Sequence, residues 1–151
     1  MFIRQISPLI FILLLAGCNQ GPPTPGTPTT YERVCDKSND GKRLSLEGYV
    51  SFPQSFKSTE PSIMMRLRPT LDSRSNVVGI SVTLGNAANQ VEMPPKLFSP
   101  QDIKLHTADG NVAGFKDKVK VSGSMYTLSS LANVEFQCGL QNVLVEGMVR
   151  Q

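Results

Sequence analysis

Cysteine, histidine and clustered acids are the side chains of this 151-residue chain that could do chemistry. Cys18 stands where an unbroken apolar run, Leu9 to Ala16, meets a polar, proline-rich stretch. Its thiol is the nucleophile most easily alkylated, and the small residues Ala16 and Gly17 leave the preceding backbone open to a peptidase. Cys35 and Cys138 remain as an even pair. In an exported chain such a pair reads most simply as a disulfide, with two buried thiols as the alternative. It would close a loop of about 100 residues, worth up to about 4.7 kcal/mol in the chain-entropy view. His106 is the single histidine, in IKLHTADG, and alternates outward beside Lys104 just before a turn.

These groups do not assemble into a catalytic signature. The chain has no Gly-x-Ser-x-Gly, His-Glu-x-x-His, phosphate loop or Cys-x-x-Cys, and no pair of acids stands apart for acid–base work. We therefore expect no enzyme and no cofactor. The stretch DKSNDGKRLSLE places Asp36, Ser38, Asp40, Gly41 and Glu47 at the first, third, fifth, sixth and twelfth positions of a calcium loop, which makes Asp36, Ser38, Asp40 and Glu47 candidate ligands. Arg43 and Leu44, however, fall where such loops carry an aliphatic residue and an oxygen donor. Asp-Gly is also common turn chemistry, so the simpler expectation is a polar turn entering a strand.

The elements that position these residues begin with the apolar run. Eight residues are too few for a membrane-spanning helix, which needs about 20; after Arg4 they have the pattern of a secretory leader. Leu15, Ala16, Gly17 and Cys18 together resemble the lipobox of bacterial lipoproteins. The resemblance implies cleavage before Cys18, diacylglycerol on its thiol and a further acyl chain on the new amino terminus. Each buried methylene contributes about 0.8 kcal/mol, so two or three chains anchor firmly where one does not. In such lipoproteins aspartate after the cysteine favours inner-membrane retention. Asn19 implies instead the outer membrane facing the periplasm, with surface exposure as a variant. The expected divisions are a leader over 1–17, a lipidated Pro/Thr-rich linker over 18–33 and a domain over 34–151. With four prolines and two glycines in twelve residues, Asn19 to Thr30 reads as an extended tether of up to roughly 35 Å.

Within the domain the apolar period is two, the signature of strands with one buried face. Leu44, Leu46, Val50 and Phe52 alternate with Ser45, Glu47, Tyr49 and Ser51, and Gly48 takes the remaining inward place. Met65 and Leu67 oppose Arg66 and Arg68. Val78, Ile80, Val82 and Leu84 oppose Gly79, Ser81 and Thr83. Phe115, Val119, Val121 and Met125 oppose Lys116, Lys118, Lys120 and Ser122, and Val134, Phe136, Cys138 and Leu140 oppose Glu135, Gln137 and Gln141. Between the third and fourth strands Pro94, Pro95 and Pro100 break the chain, leaving room for one short helix near Ser99 to Lys104, and Ala108–Asn111 is a tight-turn signal. Five strands with a long third link describe an all-β, OB-fold-like barrel. An immunoglobulin-like sandwich is the alternative, but it needs about seven strands. KDKVKVSGSMY with NVEFQCG is similar to the last two strands of small bacterial OB-fold lipoproteins, with Lys116 where glycine is usual.

Lys116, Lys118 and Lys120 share one outward face and Arg66 and Arg68 another. If the two strands neighbour each other, these cations form a positive patch on which Tyr49 could stack a ligand. Alternating lysines also serve simply as a solvated face that resists edge pairing. The net charge is +3; loss of Arg4 with a leader leaves 14 basic against 12 acidic side chains, too even for a dedicated nucleic-acid binder. The expectation is a lipid-anchored envelope lipoprotein whose partners are the membrane, through its acyl chains, and an envelope protein or anionic ligand. The domain would be a binding module or, alternatively, an accessory part that holds a partner complex at the membrane.

Overall fold

Alternation in the sequence becomes strand pairing in three dimensions. The computed structural model describes residues 22–55, 59–128 and 136–150. The strands are β1 (Thr27–Pro28), β2 (Arg43–Ser51), β3 (Ser62–Arg68), β4 (Val78–Leu84), β5 (Gln90–Val91), β6 (Leu105–His106), β7 (Val112–Ala113), β8 (Lys118–Thr127) and β9 (Cys138–Met148). Five of them close a barrel. β2 pairs with β3, β3 with β4, β4 with β9, β9 with β8, and β8 returns to β2. All of these pairs are antiparallel except β4–β9, which runs parallel at Gly79↔Gly139 and Ile80↔Leu140. A five-stranded barrel in which the third strand pairs in parallel with the fifth is the OB-like architecture. A sandwich is not formed.

The inward faces supply the core. Val50, Met65, Leu67, Ile80, Val82, Val121, Met125 and Leu140 are all buried. β9 carries two register irregularities opposite Lys120–Val121 and Ser122–Ser124, with Asn142 in the left-handed region at φ 51°. These bulges break the alternation, which is why the consecutive residues Val143, Leu144 and Val145 are all buried. Between β4 and β8, the short β5, β6 and β7 extend the β4 side of the sheet. The short helix expected near Ser99 is a single 3-10 turn, Pro100–Asp102, closed by Asp102 accepting hydrogen bonds from the backbone N–H and the hydroxyl of Ser99. Ala108–Asn111 turns the β6–β7 hairpin, with Gly110 at φ 85°.

Three expectations are corrected. β8 begins at Lys118. Phe115 and Lys116 lie instead in a turn, because the Asp117 carboxylate accepts the Gly114 N–H at 2.8 Å and the Asp117 N–H donates to the Gly114 carbonyl. β9 begins at Cys138, so Phe136 precedes the strand and is not inward; Val134 and Glu135 lie outside the described residues.

The third correction concerns the linker. Its residues from Pro22 onward are not a free tether but a strap laid on the barrel. Thr27 and Pro28 pair in parallel with Leu44 and Ser45. Prolines 22, 23, 25 and 28 have no N–H, so the segment cannot enter an interior strand. Two of the N–H groups that remain are used: Gly26 donates to Ser122 Oγ at 2.8 Å and Thr29 to the Ser45 carbonyl at 3.0 Å. Gly26 fits because it has no side chain; a Cβ there would lie 2.5 Å from the Leu44 backbone. The strap explains why Ser45, outward by alternation, is only 3% exposed.

At its end the strap enters the barrel. Tyr31 reaches the inward place that Gly48 leaves empty, where a Cβ would lie 2.0 Å from the Tyr31 hydroxyl. That hydroxyl donates to the Glu47 carbonyl at 3.2 Å, and burial pushes the phenol's pKa well above its usual value. Four residues later Cys35 is bonded to Cys138 at the start of β9, with 5.4 Å between the Cα atoms. Two losses follow. Reduction of the bridge should lower stability by about 2–5 kcal/mol. Gly48→Val should be more disruptive than Gly110→Ala, because it forces Tyr31 and the Arg68 carbonyl apart while Gly110 faces open space. Urea unfolding monitored by circular dichroism checks both, and equal midpoints for the two glycine variants would contradict the plug.

Candidate functional site

The strand registers decide which outward cations meet. Arg68 lies opposite Tyr49, and Tyr49 lies opposite Lys118 on its other side. Arg66 lies opposite Ser51 on β2 and Gly79 on β4. Arg66, Arg68, Tyr49 and Lys118 therefore share one wall, as adjacency of β2 to both β3 and β8 requires. The lysines are committed elsewhere on it: Lys118 Nζ is 3.2 Å from Glu47 and Lys120 Nζ is 2.7 Å from Glu146. Lys116 does not join them; in its turn it lies 5.6 Å from the centre of the Phe115 ring. Arg66 and Arg68 form the other end of the wall's basic group.

That end is an open cleft of about 480 Å³ lined by Gln54, Arg66, Arg68, Arg74 and Val77. Arg66 and Arg68 come from β3, Arg74 and Val77 from the β3–β4 connection, and Gln54 from the β2–β3 connection. Among the described residues that line it none is a carboxylate. Each guanidinium presents a rigid planar fork that matches carboxylate or phosphate oxygens two at a time. Three such groups around one depression suit an anion with several oxygens. Arg74 could not be placed from the sequence, because Thr70–Asn76 has no periodicity to say which way a side chain points.

Beside the cleft, along the same wall, lies an apolar floor. Gly79 and Gly139 are partners across β4 and β9, and both stand at outward positions. A Cβ on Gly79 would lie 2.9 Å from Met64 Sδ and 3.2 Å from the Phe136 ring; one on Gly139 would lie 2.5 Å from the Tyr126 ring. Tyr126, Phe136 and Met64 thus lie on a glycine floor, and the Tyr126 hydroxyl points to Met64 Sδ at 3.9 Å. Burial raises the Tyr126 pKa. The sequence signal for this floor is a pair of glycines on outward strand positions, where a polar side chain is usual.

The candidate calcium ligands are not brought together. Asp36 and Asp40 flank a 3-10 turn over Lys37–Asn39, which includes Ser38. Asp40 Oδ1 accepts the Thr127 N–H at 3.2 Å, and Glu47 points from β2 to Lys118. Among the described residues no three acids, histidines or cysteines converge on a point that could hold a metal. His106 is half-buried and lies 3.1 Å from Glu92, which also meets Lys104 at 3.3 Å. Cys18 lies outside the described residues. Compared with known proteins, the chain matches no family model, no curated protein and no solved structure.

The wall is joined to the strap through Glu146. Its Oε1 accepts the Ser122 hydroxyl at 2.6 Å, and Ser122 Oγ in turn accepts the Gly26 N–H. Burial opposes ionisation of Glu146, but hydrogen bonds from Lys120 and Ser122, with the charges of Lys120 and Arg43, outweigh it and hold the pKa below the usual 4.5. A carboxyl depressed in the folded state contributes stability above its unfolded pKa and loses it as pH falls through the folded value. Glu146→Gln should therefore melt at a lower temperature than the parent at pH 7, with the gap closing as acidification passes below the usual carboxylate range. A gap independent of pH, in paired melting curves, would contradict the ionised network.

Proposed function

We propose that this chain is a lipid-anchored lipoprotein of the cell envelope. Its non-catalytic OB-like barrel is a binding module for an anionic ligand, held in the arginine cleft and along the adjoining aromatic floor. One observation carries the binding reading: Arg66, Arg68 and Arg74, from one strand and the connection after it, converge on a single cleft. An anion bearing phosphate or carboxylate groups would meet forked donors there, and an apolar ring could rest against Tyr126 and Phe136. The anchoring reading is supported by Leu15-Ala16-Gly17-Cys18 and by a disulfide, a bond typical of oxidising compartments. The outer membrane facing the periplasm is the corresponding location, with Asn19 after the cysteine.

A second reading, an accessory lipoprotein that holds a partner complex, is favoured by one feature. Leu97 is 94% exposed, and Met93 in the same loop is 49% exposed. Large apolar side chains placed in water suit a protein contact.

The test uses protein extracted from membranes. Mass spectrometry of its first peptide should find an acylated Cys18 as the amino-terminal residue. An oligomeric phosphate should raise the melting temperature in a salt-dependent manner, and an uncharged oligosaccharide should not. Arg66→Ala and Arg68→Ala should each weaken binding about tenfold or more, since a hydrogen bond to a charged group is worth about 1.5–3 kcal/mol. Lys116→Ala should leave it unchanged. Equal binding by the arginine variants would sink the cleft as the site; co-purification of one envelope protein without any response to anions would favour the accessory reading.

A further inference from the structure

The strap fixes where an anchor can lie relative to the barrel. The path from Cys18 to Pro22 is four residue steps, at most about 14 Å of extended chain. From Thr24 on, the chain is held. Arg43 donates through Nε to the Thr24 carbonyl and through Nη1 to the Asn142 carbonyl at 2.9 Å, and beyond that come the Gly26–Ser122 bond, the pairing with β2 and the Tyr31 plug. β2 alone is about 30 Å long at roughly 3.3 Å per residue, so the reach of the anchor is less than half a barrel strand.

Pro22, Pro23 and Thr24 emerge at one pole of the barrel, beside the start of β2 and the β9 bulge. They border a groove of about 800 Å³ to which Ser62, Asn89 and Gln141 also contribute. Among the described residues that line it, Arg43 is the single charged one. A face on which the described residues present no acid can lie against anionic or zwitterionic headgroups without repulsion from them. The opposite pole carries the start of β8, because Arg43 pairs with Ser124 while Tyr49 pairs with Lys118. The arginine cleft lies toward that opposite pole, since Arg68 pairs with Tyr49 and Tyr49 with Lys118, and Arg66 and Arg68 stand about 13–20 Å along β3 from Ser62.

We propose that the barrel stands on the bilayer by this pole, its strap acting as a rigid mount and not a flexible leash. The lipid headgroups are then the partner of the Asn89–Gln141–Asn142 face. The arginine cleft is held off the membrane surface, open to a ligand arriving from the aqueous side. This rests on acylation at Cys18, as proposed above.

The chain has no tryptophan, so single tryptophans can report position without background. Full-length lipidated protein is reconstituted into phosphatidylethanolamine–phosphatidylglycerol vesicles containing a nitroxide-headgroup lipid, carrying Gln141→Trp or Ala88→Trp at the near pole or Lys116→Trp at the far one. Several-fold stronger quenching of both near-pole reporters than of Lys116→Trp is expected. Adding Gly26→Val, which pushes a side chain into the Leu44 backbone, should free the strap and erase that contrast while the protein stays on the vesicles. Equal quenching at the two poles, or a contrast indifferent to Gly26→Val, overturns the rigid mount and leaves the anchor standing. Failure to float with the vesicles overturns the anchor itself, and the mount with it.

Discussion

The β2 wall depends on one substitution of roles: a tyrosine from outside the barrel fills the interior place of a glycine within it. Gly48 interrupts an otherwise complete apolar face, and a hole there would forfeit packing beside the Arg68 carbonyl at the end of β3. Tyr31 fills that hole and satisfies its own hydroxyl on the Glu47 carbonyl. Burying a side chain of this size contributes about 1.5–3 kcal/mol, and the hydrogen bond removes the penalty of a stranded phenol. The disulfide at Cys35 then ties the end of the strap to β9. Strap, plug and bridge form one continuous fastening, and the residues ahead of Tyr31 are placed by it.

That fastening also sorts the charges of the outer wall. Gly26 takes Ser122, Ser122 takes Glu146, and Glu146 takes Lys120, so a lysine available in principle to a ligand is used to organise the backbone crossing. Lys118 is similarly held by Glu47. Partly exposed pairs of this kind contribute on the order of 0–1 kcal/mol each to stability; their larger effect is on the field, because they remove two cations from the wall. Three arginines line the cleft, and their charges add to the field of that part of the wall.

The barrel was legible because each of its strands has one wet and one dry face, and alternation reports that directly. The disulfide was legible from an even pair of cysteines in a chain whose leader pattern led to an expectation of export. The strap was not: Pro22 to Thr30 has no apolar period, and what docks it is close backbone approach at Gly26 and a single buried ring at Tyr31, neither of which composition reveals. Phe136 was misplaced because alternation was carried two residues beyond the true start of β9, and Lys116 because it was carried two residues ahead of β8. The converging basic residues were legible in part. Arg66 and Arg68 follow from strand parity, whereas Arg74 depends on a loop path, and the pairing of Lys120 depends on a bulge that turns Glu146 toward it.

Amide hydrogen exchange at Gly26 and Thr29 is the most direct measurement of whether the amino-terminal segment is part of the folded body. Protection comparable to that of the β2 and β8 amides is the expected result. Exchange at the rate of an unstructured peptide, in a protein whose barrel amides remain protected, would show the segment to be a loose tether and contradict the account.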